Sequence, residues 1–183
     1  MVAGDESNLV LQSQQGDPGA FEQLVEQNQK MIHSLCFRMT GSLEDADDLA
    51  QDTFIQAHRQ MASFRGDSRF SSWVYRIAMN QCLNFRKRRQ QQERLQRQWA
   101  EEGSGAETSR EDRRSDFVQA ALMKLNPKQR AALVLTTYDG LNHAEAAKVL
   151  GCSETTISWR VFAARTKLKR LLKEFAKQEK TND

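Results

Sequence analysis

Proline is nearly absent from this chain, with two in 183 residues. Both stand where a helix can begin, which leaves long stretches free of helix breakers. The three cysteines, Cys36, Cys82 and Cys152, are odd in number and far apart in the chain. They give neither a disulfide framework nor zinc-ligand spacing, and read as small buried hydrophobes. His33, His58 and His143 form no ligand pair on one helical face, so no metal or catalytic role falls to them. No run approaches the roughly 20 apolar residues of a membrane span. The start, MVAGDESNLV, has neither a basic n-region nor an apolar h-region. Cytoplasmic residence without membrane insertion is therefore the expectation. A Gly-rich phosphate loop and a nucleophile–base constellation are also missing, so neither an enzyme nor a cofactor is expected. Alternating strand patterns are missing too, and the chain reads as all-α.

What is present is an uneven distribution of charge. Net charge is only +3, yet residues 1–62 carry three basic and ten acidic side chains. Residues 63–99 carry nine basic and two acidic, residues 100–116 come to −3, and residues 117–183 carry twelve basic and six acidic. Two basic blocks separated by an acidic spacer suggest two patches on a polyanion, with an acidic patch left for another partner.

Helical periodicity begins at Asp17-Pro18, a cap followed by a first-turn proline. Phe21, Leu24, Val25, Ile32, Leu35, Cys36 and Met39 carry it to Gly41. A second helix starts at Ser42, with Ala46, Leu49, Ala50, Phe54 and Ala57 as its inner stripe. Residues 63–69, which include Gly66, read as a loop. A third helix follows, with Phe70, Trp73, Val74, Ile77 and Ala78 on one face. From about residue 90 to 116 the run is rich in Gln, charge, Gly and Ser and cannot offset chain entropy by burial. It reads as a linker whose first part can continue the preceding helix. Periodicity resumes at Phe117 with Ala121, Leu122 and Leu125, and Asn126-Pro127 repeats the cap-then-proline start. The expected organisation is two small helical domains, 1–92 and 116–183, joined by a flexible linker at 93–115.

The most specific segment lies at 143–160. Counting His143 as the first position, Ala147 is the fifth, Gly151 the ninth and Ile157 the fifteenth, which is helix-turn-helix spacing. The fifth position needs a small side chain at close helix approach, the ninth a residue tolerant of positive φ, and the fifteenth an apolar anchor. Asn142 and Glu145 form a capping-box pair before the first helix, and Ser153 can cap the second, which is expected to run to Leu172. Thr155, Thr156, Ser158, Trp159 and Arg160, then Arg165, Lys167, Lys169 and Arg170, can reach base edges and phosphates in a major groove. Trp159 is either a groove contact or a packing residue against the preceding helix.

In the first half, Glu44, Asp45, Asp47, Asp48 and Asp52 crowd one helix start. Acids there complement the helix dipole; with Gln51 they can equally form a protein-docking face. Beyond them come Phe64, Arg65, Arg69, Phe70, Trp73, Tyr75, Arg76, Asn80, Asn84 and Phe85, then the basic run at 86–89 that includes Arg86 and Lys87. Interleaved aromatic and basic residues suit single-stranded DNA, while the spacing of Phe70, Trp73 and Ile77 makes those three core.

These segments together resemble a known family. AFEQLVEQNQKMIHSLCFRMTG, DADDLAQDTFIQAHR and RFSSWVYRIAMNQCLNFRKRR resemble successive parts of region 2 in the extracytoplasmic-function (ECF) group of the sigma-70 family. LNPKQRAALVLTTYDGLNHAEAAKVLGCSETTISWRVFAARTKL resembles region 4. The resemblance implies an alternative sigma factor that binds bacterial core RNA polymerase and directs promoter-specific transcription initiation. It implies polymerase docking through Asp48, Leu49, Gln51 and Asp52. It assigns melting and reading of the −10 element to Phe64, Arg65, Arg69, Arg76, Asn80, Asn84, Arg86 and Lys87, with a flipped base held by the loop. Duplex −35 DNA falls to Thr155, Thr156, Ser158, Trp159, Arg160 and Arg165. An anti-sigma partner is a further implication. Thr155, Ser158 and Trp159 depart from the family's usual small, basic and small polar residues, so the promoter sequence cannot be borrowed from a relative. A stand-alone duplex-DNA regulator would leave the acidic helix and the aromatic loop unexplained.

Overall fold

The computed structural model describes residues 3–97 and 113–179, and among them every regular element is helical. Two compact units emerge, Met1–Cys82 and Leu83–Asp183. In the first, α1 (Ala3–Gln14), α2 (Pro18–Thr40) and α3 (Leu43–Gln60) lead through a 3₁₀ turn, Met61–Ser63, to α4 (Phe70–Arg97), whose later residues belong to the second unit. The second contains α5 (Arg113–Met123), α6 (Pro127–Leu133), a π turn at Val134–Tyr138, α7 (His143–Leu150) and α8 (Glu154–Glu179).

The helix starts follow from local chemistry. Asp17 accepts from the N–H groups of Gly19 and Ala20, one residue ahead of Pro18. Ser42 accepts from Asp45, and Asn126 from Lys128 ahead of Pro127. The capping box is complete, with Asn142 and Glu145 each accepting from the other's backbone N–H at 2.9 Å. Each such cap contributes about 1 kcal/mol. Gly41 ends α2 at a φ of 80°, where a Cβ would be strained. The helix after Ser153 runs past Leu172 to Glu179. Of the expected linker, residues 93–97 are helical as part of α4 and 113–115 as the start of α5, while 98–112 lie outside the described residues.

In the first unit Leu24, Ile32, Leu35 and Met39 of α2 are fully buried, as are Ala46 and Ala57 of α3. Phe70, Val74, Ala78, Met79 and Cys82 bury one side of α4. A polar strap joins α3 to α4: Thr53 Oγ1 bonds Gln81 Oε1 at 3.0 Å, and Gln81 Nε2 donates to Gln56 Oε1 at 2.8 Å. Cys36 and Cys82, remote in sequence, touch in the core with Sγ atoms 3.8 Å apart. Both are free thiols. The hydrogen bond to Cys36, together with burial, pushes the Cys82 thiol above the ordinary thiol range. It behaves as the packed hydrophobe that its apolar helical position implies.

Helix α1 has no counterpart in the hydrophobic pattern. Its apolar residues Leu9, Val10 and Leu11 are consecutive rather than periodic, and only Leu9 is buried.

Candidate nucleic-acid interface and docking face

The acidic segment lies on α3. Asp48, Gln51 and Asp52 are exposed, whereas Leu49 is buried with Ala46, Thr53 and Phe54. Leu49 therefore presents little of its side chain to a partner in this conformation. At one helical turn from Ala46 and Thr53 it belongs to the inner stripe and supports the acidic face from beneath. Beside that face, α2 and α3 frame a largely apolar groove of about 900 Å³. Phe21 and Val25 of α2 and Ala50, Gln51, Phe54 and Ile55 of α3 line it. Its rim is fixed by His33 Nε2 at 2.9 Å from Asp47 Oδ1, and by the edge-to-face rings of Phe21 and His58. Ile55 keeps 42% of its surface exposed. Sequence reasoning passed over this groove because Phe21 and Val25 look like ordinary core positions when only their own helix is considered.

The loop at 64–69 is built on an aromatic cluster. Phe64 is buried, its ring centroid 4.8 Å from that of Trp73 and 6.2 Å from that of Phe70. Most of the Phe64 ring is therefore taken up in seating the loop. Arg65, Ser68 and Arg69 remain exposed around Gly66. The missed helix α1 fastens both ends of this loop. Gln14 Nε2 donates to the Phe64 carbonyl at 2.7 Å and to the Met61 carbonyl at 3.1 Å. Glu6 Oε1 accepts from the Phe70 N–H at 2.7 Å, capping the start of α4. Between loop and α1 lies a recess of about 300 Å³ lined by Glu6, Ser7, Val10, Phe64, Arg69 and Phe70, among others.

On α4 itself Arg76, Asn80, Asn84 and Lys87 are all exposed. Their spacing of four, four and three residues places them on one helical stripe. Arg86 is half-buried and falls outside that stripe.

In the second unit the helix-turn-helix has the predicted form. Ala147 is 6% exposed where α7 meets α8, Ile157 is fully buried, and Gly151 takes a φ of 59°. A Cβ on Gly151 would meet nothing within 4 Å, so conformation rather than space demands glycine there. The six residues expected to read DNA behave differently. Thr155, Trp159 and Arg165 are exposed on α8. Thr156 is half-buried and shares a 2.8 Å hydrogen bond with the capping Ser153. Ser158 is exposed but pairs with His143 Nδ1 at 2.9 Å. Arg160 turns back, its Nη1 donating to Cys152 Sγ at 3.4 Å. At 64% exposure Trp159 is not packed on the preceding helix. Phe162, one turn further and 71% exposed, went unremarked in the sequence although its three-residue spacing from Trp159 was there to be read.

Comparison with known proteins places these surfaces in context. Residues 24–92 match the family Sigma-70 region 2, and residues 118–168 match Sigma-70, region 4. The chain is 37% identical over 164 residues to the ECF RNA polymerase sigma factor SigM of Mycobacterium tuberculosis, covering 86% of this chain and 79% of that protein. It is 33% identical over 186 residues to the RNA polymerase sigma-H factor of Pseudomonas aeruginosa, covering 94% and 96%. Among solved structures, CnrH in complex with the cytosolic domain of CnrY aligns with a TM-score of 0.72 at 28% identity, over 93% of this chain and 98% of that one. The sigma factor RpoE from Bartonella quintana, in complex with the anti-sigma factor NepR, aligns with a TM-score of 0.70 at 26% identity, over 84% and 96%.

Proposed function

Because this chain belongs to the extracytoplasmic-function group of the sigma-70 family, and is thereby an alternative sigma factor directing transcription initiation, we propose a division of that task among its surfaces. Region 2 occupies 1–92 and region 4 occupies 116–183. Asp48, Gln51 and Asp52 dock on core RNA polymerase, with Leu49 holding their helix in place. The α2–α3 groove completes the docking face. An anti-sigma factor, the kind of partner held by the related sigma factor RpoE, competes for the same groove.

Arg65 and Arg69 hold backbone phosphates of the separated −10 strand while Arg76, Asn80, Asn84 and Lys87 track it along α4. The recess between the loop and α1 takes one flipped base. Flipping costs a few kcal/mol, offset by contacts in the recess and by phosphate pairing. α8 enters the major groove of the −35 duplex. Catalysis stays with the polymerase. Neither domain need bind DNA tightly alone, because docking both on one polymerase makes the second contact effectively intramolecular.

The observation that carries this reading is the fastening of the exposed basic loop by Gln14 and Glu6 beside a base-sized recess. Gln14→Ala removes both loop bonds, and such bonds contribute about 1 kcal/mol each. The expected result is open-complex formation reduced about 5- to 20-fold, with core affinity unchanged, read by permanganate reactivity of the −10 thymines. An unaltered melting signal would show that α1 does not set the loop. Reconstituted transcription with core polymerase on a genomic promoter library tests the whole assignment, since a sigma factor must give initiation from a narrow promoter set.

A further inference from the structure

Trp159 and Phe162 are the two most exposed of the large hydrophobic residues in the described chain, at 64% and 71%. Two aromatic rings exposed to this degree present on the order of 250 Å² of apolar surface, which approaches the size at which a patch marks an interaction site. They lie three residues apart on α8 and so are neighbours on one helical face. The polar groups around them are largely committed within the protein. Ser158 is bonded to His143, Arg160 to Cys152, and Thr166 donates its hydroxyl to the Phe162 carbonyl at 2.9 Å. Between exposed Thr155 and Arg165, the aromatic pair is the apolar part of what this stretch of the helix presents outward.

The surrounding charge identifies what covers it. Between Glu154 and Glu174 the helix carries Arg160, Arg165, Lys167, Lys169, Arg170 and Lys173, and no acid lies between those two glutamates. A polyanion fits this frame, and the helix-turn-helix puts the same face of α8 into a major groove. The apolar group on base edges in that groove is the C5-methyl of thymine. Residues three apart are about 4.5 Å apart along a helix axis, little more than the about 3.4 Å between successive base pairs. Two rings at this spacing can meet the methyls of two neighbouring pairs.

We propose that Trp159 and Phe162 form an apolar reader of thymine methyl groups in the −35 duplex, and that adjacent A·T pairs there are a main determinant of this chain's promoter choice. The inference rests on the assignment of α8 to −35 DNA and adds to it the chemistry of recognition.

The test uses holoenzyme reconstituted from the full chain and core polymerase, on a promoter found to be active. Each −35 thymine, on either strand, is replaced singly by deoxyuridine, which removes only the methyl. At two adjacent pairs the substitution is expected to weaken binding about 3- to 10-fold, the scale of one lost apolar carbon. With Trp159→Ala or Phe162→Ala the penalty at the corresponding pair should vanish, the signature of a direct coupling. Both side chains are exposed, so the variants keep the fold, which circular dichroism verifies. If deoxyuridine is neutral at every −35 position while initiation still depends on the −35 element, the methyl reader is overturned and the sigma assignment stands. Loss of affinity for some protein partner in the alanine variants would not rescue it. If initiation is indifferent to the −35 element altogether, the assignment of α8 falls, and the methyl reader with it.

Discussion

Arg130→Met is expected to destabilise the second unit by about 3 kcal/mol, the scale of leaving several buried carbonyls without a donor. Arg130 is wholly buried at the end of α6's first turn. Its Nε donates to the Leu122 carbonyl at 2.7 Å, and its Nη2 to those of Met123 at 2.6 Å and Leu125 at 3.4 Å. These are carbonyls at the C-terminal end of α5, where helical partners run out and the dipole is negative. Burial pushes the guanidinium down to about 10, so it stays protonated at neutral pH. The carbonyl fork offsets its desolvation. Lysine should recover little of the loss, since a point charge on one stem cannot reproduce a planar fork. Amide hydrogen exchange on the full chain is the suitable measurement. Protection should fall across α5–α8 and remain unchanged in α2 and α3. Unaltered protection in α5 would mean that Arg130 does not fasten it.

The double variant Asp48→Arg/Gln51→Ala should lower affinity for core polymerase at least about 30-fold, as reversal of a docking charge beside a lost contact typically does. Both side chains are exposed, so far-UV dichroism and melting temperature should hold. Leu49→Ala is the informative contrast. Its side chain is 8% exposed, and its truncation should instead cost about 2–4 kcal/mol of stability in the first unit. Competition for core polymerase, followed by anisotropy of a labelled wild-type chain, separates the two. Equal affinity for the double variant and the wild type would remove the acidic face from the docking surface. A double variant that merely melted early would place its residues with Leu49, inside the fold.

Features settled within one or two helical turns were legible in the amino-acid sequence. Asp17-Pro18, Ser42, Asn126-Pro127 and the Asn142–Glu145 pair set helix starts, because a cap bonds to N–H groups two or three residues away. Gly41 and Gly151 set stops through their own φ, and the small–glycine–apolar spacing of 147, 151 and 157 set the turn between α7 and α8. Which faces are covered was a matter for tertiary packing. Packing buried Leu49 and Phe64, which the family resemblance had placed at interfaces, because α2 and the Trp73 ring lie against them. It brought Cys36 to Cys82 and fastened the loop at 64–69 with Gln14 and Glu6 from a helix that leaves no periodic trace. It left Phe162 outside with Trp159, although each would suit a core. One cause underlies all of these cases. Capping and glycine act through neighbouring backbone, whereas exposure and long-range hydrogen bonds depend on which remote segment occupies the adjoining space.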